Sequence, residues 1–141
     1  METMTTLRAL CRLIARTAIR RERGSSSIQM VMLMPALFVI MFLGMQGALY
    51  YHARTLAIAA AQEGARAAGG QNGTAAGGMS AASSFVNDAG GKDVLPGAQV
   101  TGGRSATTAK VTVTGTSLSV IPGWSPAVSQ SASVPVERIT R

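Results

Sequence analysis

The dominant feature of the hydrophobic pattern is one long uncharged segment. No Asp, Glu, Lys or Arg occurs in residues 25–53, and within residues 30–43 only Pro35 interrupts the hydrophobic side chains. At about 1.5 Å per residue, a helix over residues 28–51 spans roughly 36 Å, which is enough to cross the hydrocarbon core of a bilayer. The pattern therefore predicts one transmembrane helix, with Tyr50 and Tyr51 as interfacial aromatics at its end.

The helical pattern continues after the apolar segment. The stretch "LAIAAAQEGARAAGG" consists of alanines and other good helix formers until Gly69 and Gly70 end it. Glu63 and Arg66 stand three residues apart and are expected to pair on the helix surface. The sequence thus predicts one helix over residues 28–68, half of it in lipid and half outside.

The remainder of the chain changes from helical to alternating periodicity. "GGQNGTAAGG" has the composition of a flexible linker, and a short helix is expected to follow from Met79. "AKVTVTGTSLSV" alternates like a half-buried strand, with a bulge or bend at Gly115, and "GAQVT" and "AVSQSASVPVERI" are weaker strand candidates. Trp124, in a turn between strands, is expected to cap their small core.

These elements predict an α+β fold: a single N-terminal transmembrane helix extended outside the membrane, followed by a small antiparallel β module. The expected organisation is a basic cytoplasmic leader (residues 1–24), the transmembrane helix with its extracytoplasmic extension (25–68), a glycine-rich linker (69–78), and a small helix plus antiparallel strands (79–141).

The charge distribution gives the predicted helix an orientation. The net charge is +7, and six arginines precede Gly24 against only two acids, Glu2 and Glu22. By the positive-inside rule, this places the N terminus in the cytoplasm and the C terminus outside, in a single pass of the cytoplasmic (inner) membrane. Membrane lipids are the partner this pattern favours. Nucleic acid is disfavoured, because the basic residues lack interleaved aromatics.

Several positions in the apolar segment bear on contact with another helix. Gly44, Gly47 and Ala48 form a small-residue patch that lets a second helix approach closely, and a scattered composition effect is the alternative explanation. Pro35 removes one backbone donor, which membrane helices tolerate by kinking. Gln46 is able to hydrogen-bond across such a contact.

The sequence offers little for catalysis. His52 is the single histidine and Cys11 the single cysteine, and no carboxylate groups with either as a metal site or catalytic triad. The glycine pairs lack the Gly-Lys-Ser/Thr ending of a phosphate loop. No catalytic residue, metal or cofactor is therefore predicted, and we do not expect an enzyme.

Several features together resemble one family. They are a basic leader ending "RRERG", a small-residue start "SSSI", an apolar helix with an early proline, the extension "AAAQEGARAAG" and a β-rich tail ending "PVERI". From about Arg21 to Arg138, the chain resembles TadE-type pseudopilins of the tight-adherence (Flp) pilus system.

The resemblance implies a processing site and a set of partners. In that family a membrane-embedded prepilin peptidase cuts after the glycine, which here places the cut between Gly24 and Ser25. The fifth residue after such a cut is usually glutamate, and here it is Gln29, either a subunit contact or simply a headgroup-level polar residue. The implied partners are the prepilin peptidase and other pilins or pilus assembly proteins.

Two other functions remain open on the sequence. The chain would be a membrane-tethered extracytoplasmic binding module if its tail engaged a surface ligand independently of any pilus. It would be a secreted protein if a signal peptidase released it, although the apolar segment is longer than a signal core.

Overall fold

A computed structural model describes the backbone of residues 2–137 and the side chains of residues 27–137. Helix α1 covers Glu2–Gly69, helix α2 covers Ala75–Asp88, and a short 3₁₀ helix covers Gly91–Asp93. Strands β1 (Gln99–Arg104), β2 (Thr108–Thr116) and β3 (Ala127–Pro135) follow. The α+β class is confirmed: a long apolar helix is followed by a short helix and a small antiparallel sheet. The chain comprises two compact units, Met1–Met41 and Phe42–Arg141.

The first unit is the N-terminal part of α1. Its backbone remains helical through Pro35, and every described side chain in it, from residue 27 to residue 41, is exposed. An apolar helix that buries nothing gains no hydrophobic stabilisation within its own chain. Its stable environment must therefore be lipid or another apolar surface.

The second unit is built on a stripe of small residues along the C-terminal part of α1. The buried positions of this stripe recur at helical spacing and are Ala53, Leu56, Ala57, Ala60, Ala61, Ala65 and Ala68. Alanine lets the backbones of neighbouring elements approach α1 closely. The rest of the core comes from helix α2, Leu95 and the inner face of the sheet. The ion pair predicted between Glu63 and Arg66 is present on the exposed side of α1, with the charged atoms 4.0 Å apart.

Helix α2 packs against α1 through two glycines. A methyl group added at Gly64 would lie 2.7 Å from the carbonyl oxygen of Gly78 and 2.8 Å from the β-carbon of Ala82, while one at Gly78 would lie 2.6 Å from the β-carbon of Ala68. All three distances are shorter than a β-carbon contact allows, so only glycine fits at Gly64 and Gly78. Gly64, the first glycine in "QEGARAAG", therefore has a packing role.

Helix α2 begins earlier than its periodicity predicts. Thr74 is its N-cap, and the threonine hydroxyl accepts a hydrogen bond from the Gly77 amide at 2.9 Å. Met79, the first expected helical residue, therefore lies in the second turn. Residues 75–78, which were predicted to belong to a glycine-rich linker over residues 69–78, therefore form the first turn of α2.

The three strands form one antiparallel sheet in the order β1-β2-β3. Val111 and Val113 point into the core and are completely buried, as the alternation in β2 predicts, and Val128 of β3 joins them. All three predicted strands are present, but β2 ends before Leu118 and Val120, which lie in the following loop although they were predicted to continue its alternation. The predicted bulge at Gly115 is wrong, since that residue pairs in register with Val128. Glycine is needed there because a side chain would meet Leu95 at 2.7 Å.

Arg104 at the end of β1 caps the C terminus of α1. Its guanidinium donates hydrogen bonds to the carbonyl oxygens of Ala68 (2.6 Å), Gly70 (3.1 Å) and Gly73. The last carbonyls of a helix have no partner within the helix and carry its negative dipole end. A strand arginine therefore holds the end of α1, through Ala68, together with the turn that follows it, through Gly70 and Gly73.

The glycine crossing gives a stability prediction. We expect Gly64→Ala to lower the free energy of unfolding by about 1–3 kcal/mol, because overpacking outweighs the roughly 1 kcal/mol that alanine gains in helix propensity. Urea unfolding in detergent micelles, followed by the fluorescence of the single tryptophan, measures the change.

Gly103→Ala is the matched control. A methyl group there meets nothing within 4 Å, so we expect no loss of stability. Equal unfolding midpoints for the two variants would show that α1 and α2 do not cross at Gly64.

Candidate membrane-anchoring and assembly site

The candidate anchor is the apolar surface of α1 up to Met45. Fourteen large hydrophobic side chains in residues 28–45 are exposed, from 43% at Phe42 to 77% at Met32, and they lie on all sides of the helix. By length and composition, Ser27–Gly69 is the one helix in the described part of the chain that could cross a membrane, with a mean hydropathy of 2.2 in its most apolar window. Residues 28–45 alone span about 27 Å, close to the thickness of a hydrocarbon core.

The exposed surface ends abruptly at Gln46, which is only 2% exposed. Its side-chain nitrogen donates to the carbonyl oxygen of Leu118 at 3.2 Å, and its side-chain oxygen accepts from the amide of Val120 at 3.0 Å. The hydroxyl oxygen of Ser119 lies 3.3 Å from that same oxygen. The sequence predicted a hydrogen bond from Gln46 to a neighbouring helix. The structure shows instead that its carboxamide holds the loop between β2 and β3 of the same chain.

That loop closes in a tight turn. The amide of Trp124 donates to the carbonyl of Ile121 at 3.2 Å, with Pro122 and Gly123 between them. Gly123 has a φ of 79°, so proline at the first and glycine at the second central position form a type II turn. The loop therefore has a defined conformation at both its Gln46 contact and its tip.

Trp124 does not cap the core of the sheet as predicted. It is 50% exposed and borders a groove of about 320 Å³ whose lining is almost entirely apolar: Leu43, Gln46, Gly47, Tyr50, Trp124, Pro126 and Ala127. The turn holds the indole beside helix α1, because the loop is fastened to Gln46. The prediction placed it over the core because the sequence gives no information on this attachment.

The predicted processing site lies in the helical part of the backbone. Gly24 and Ser25 both belong to α1, and their side chains are outside the described ones. A peptidase binds an extended backbone, so cleavage there requires α1 to unwind locally. Glycine lowers the cost of such unwinding by about 1 kcal/mol relative to alanine.

The predicted contact residues are exposed positions along α1. Gln29 and Pro35 lie in the first unit, and Gly44 and Gly47 lie in the second, three residues apart. A methyl group added at Gly44 or at Gly47 would meet nothing within 4 Å. The structure does not gather the four into one cluster, and each leaves its helix surface open to a partner.

The described residues contain no group of three or more His, Cys, Asp or Glu side chains able to hold a metal ion. The structural features that sequence reasoning missed are polar contacts between distant residues. Gln46 and Arg104 each bond to backbone atoms more than thirty positions away. In the sequence, the only signals for these contacts were a glutamine within an apolar segment and an arginine at the end of a predicted strand.

Comparison with known proteins gives one match. Residues 24–66 match the family model described as TadE-like protein, which confirms the resemblance over that segment. Neither a curated protein nor a solved structure matches the chain. This TadE-like segment contains the exposed apolar surface of residues 28–45, Gln46 and Gly64. The TadE-like family is a structural, pilin-like family. Together with the apolar helix, the match fits a membrane-anchored, pilus-associated protein.

The Gln46 contact gives a testable prediction. Gln46→Leu retains the approximate side-chain size but removes the hydrogen bonds to Leu118, Ser119 and Val120, and each such bond contributes about 1 kcal/mol. We expect hydrogen exchange at the Val120 amide to accelerate by about tenfold or more in micelles. Gln62→Leu, at an exposed position on the same helix, should leave that rate unchanged. Equal exchange in the wild type and Gln46→Leu would contradict the contact.

Proposed function

We propose that this chain is a minor pilin or pseudopilin of a tight-adherence (Flp) pilus system. It acts as a structural component that anchors in the cytoplasmic membrane and presents a small β module outside. The observation that carries the proposal is the continuous exposed apolar surface of residues 28–45. It lies within the TadE-like segment, and the part of α1 that follows it is packed through small residues.

The orientation follows from charge. Six arginines precede Gly24, whereas His52 and Arg54 alone follow closely after the apolar surface. Anionic headgroups and the positive-inside rule favour the arginine-rich end in the cytoplasm. The sheet and α2 then lie on the extracytoplasmic side.

Processing by a prepilin peptidase is the second part of the proposal. The TadE-like match begins at Gly24, the residue before the proposed cut. Glycine puts no side chain in the way of a protease groove, and the arginines hold the bond near the membrane surface. Cleavage would leave Ser25 as the new N terminus.

Gln29 then becomes the fifth residue of the processed chain. In a bundle of pilin helices, a carboxylate at this position would offset the ammonium of a neighbouring N terminus. A carboxamide accepts a hydrogen bond from that ammonium but carries no charge. Gln29 therefore supports a weaker subunit contact, in keeping with a minor component.

Gly44 and Gly47 provide the packing face for a neighbouring helix. Both are open in the isolated chain, and without side chains they allow the close backbone approach that stabilises helix pairs in lipid. Pro35 removes one backbone N–H from α1, so the carbonyl it would have bonded stays available to a polar group of a partner. The expected partners are other pilins or assembly proteins together with membrane lipids.

The first test of this function is the terminal peptide of the protein recovered from membranes of cells that express a prepilin peptidase. We expect mass spectrometry to give a chain starting at Ser25, and Gly24→Leu to block the cut. A chain that keeps its arginine-rich segment would favour a permanently tethered binding module. A start near Ala61 would favour release by a signal peptidase.

The second test separates assembly from folding. We expect Gly44→Ile to reduce co-purification with other pilins from detergent-solubilised membranes by about tenfold, the effect of losing roughly 1.4 kcal/mol of contact energy. The urea midpoint should not change, because Gly44 is exposed and a β-carbon there meets nothing within 4 Å. Met45→Ile, which adds no bulk at the next position, is the control. Undiminished co-purification of Gly44→Ile would exclude this packing face.

A further inference from the structure

We propose that residues 117–126, the loop between β2 and β3, form a second membrane contact that lies at headgroup level, with Trp124 as its interfacial anchor. The inference rests on the proposed membrane span of α1, and it assigns a lipid-binding surface to the β module itself. The occupant of this surface is the bilayer interface.

The position of the loop follows from Gln46. Two hydrogen bonds join the Gln46 carboxamide to the backbone of Leu118 and Val120. Gln46 directly follows Met45, the last of the closely spaced exposed hydrophobic residues on α1. A helix advances about 1.5 Å per residue. The loop segment bonded to Gln46 therefore lies within a few ångströms, along the helix axis, of the end of the apolar surface.

The chemistry of the loop suits that level. Its sequence "SLSVIPGWSP" contains no charged residue, and none occurs between Lys110 and Glu137, so the loop approaches lipid without burying a charge. Leu118 and Trp124 remain 39% and 50% exposed, which is unfavourable in water for large apolar side chains. Tryptophan is the residue most typical of membrane interfaces, because its ring is apolar and its N–H needs a polar partner.

The backbone limits how deep the loop can lie. Its irregular conformation leaves N–H and C=O groups that need water or headgroup oxygens, so it cannot enter the hydrocarbon region. The result is a shallow contact in which Trp124 and Leu118 reach the acyl boundary while the turn at Pro122 and Gly123 stays hydrated. The groove beside Trp124, lined by Leu43, Gly47 and Tyr50, is then open to lipid.

The second contact would fix the β module against the membrane surface. A single helix leaves a module free to rotate about the helix axis and to tilt with it. A second interfacial anchor on the loop restricts both motions, so the outer half of α1 would present the same face to every neighbour.

The experiment uses the full chain reconstituted into phosphatidylcholine vesicles at a low protein-to-lipid ratio, where copies are far apart. Trp124 is the only tryptophan, so its fluorescence reports the loop alone. Lipids brominated near the glycerol backbone should quench it more strongly than lipids brominated near the bilayer centre, and aqueous acrylamide should quench it only weakly.

Two variants serve as controls. Gln46→Leu releases the loop from α1, and we expect the shallow lipid quenching to be lost while the chain remains in the vesicles. In Trp124→Phe/Thr107→Trp, the fluorophore moves to an exposed position in the turn between β1 and β2, at the other end of the sheet from the loop. There acrylamide should quench it and brominated lipid should not.

The outcomes separate this inference from the proposed function. A chain that fails to float with the vesicles would overturn the membrane anchor, and this inference with it. A chain that floats but shows no lipid quenching of Trp124 would overturn the inference alone. Protection from acrylamide that appears only at high protein-to-lipid ratio would assign the loop to a contact between copies of the chain and would also overturn it.

Discussion

The burial of Gln46 is the constraint on which the rest of the structure depends. One residue earlier, α1 exposes large hydrophobic side chains on every face. From this residue onward, it buries a stripe of alanines beneath a sheet and a second helix. A carboxamide is stable in a buried position only when its donor and acceptor groups are bonded, and the loop between β2 and β3 supplies both partners. Gln46 thus marks the boundary on α1 between an exposed apolar surface suited to lipid and a surface packed against the rest of the protein.

The small-residue stripe explains how so short a module folds without a disulfide. Alanine and glycine contribute little apolar area each, so the module must gain stability from close backbone packing over a long helix. Gly64 and Gly78 bring the two helices into contact, and Arg104 bonds the carbonyl of Ala68 at the end of α1 and that of Gly70 just after it. Consequently one helix carries both the candidate membrane anchor and a large part of the module's core.

Sequence reasoning succeeded where the signal was local. The apolar segment, the continuous helix beyond it, the alternation around Val111 and Val113 and the Glu63–Arg66 pair all follow from periodicity and spacing. It failed where a distant contact decides the outcome. The partners of Gln46, the place of Trp124 and the need for glycine at 115 depend on residues brought close only by the fold. The start of α2 was missed because the Thr74 cap outweighs the glycines that follow it.

For the candidate site as well, local sequence signals gave the positions, and contacts with distant residues could not be predicted. The sequence identified Gln29, Pro35, Gly44 and Gly47 as positions on one helix, and the structure leaves all four exposed. Their roles, and cleavage between Gly24 and Ser25, depend on other molecules and stay predictions. The loop fastened to Gln46 was not among the expected sites, because nothing in a local window relates "SLSVIPGWSP" to a helix more than seventy residues earlier.

The central claim, that α1 changes from lipid-exposed to protein-packed at Gln46, is tested most directly by a spin-label accessibility scan in vesicles. Single cysteines would be placed along residues 28–68 of a chain in which Cys11 is replaced. The account predicts access to oxygen, but not to a water-soluble relaxant, at every position up to Met45. From residue 46 onward, positions should alternate with helical period between buried and water-exposed. Lipid-type accessibility that continues on all faces beyond Tyr51, or water access throughout residues 28–45, would contradict it.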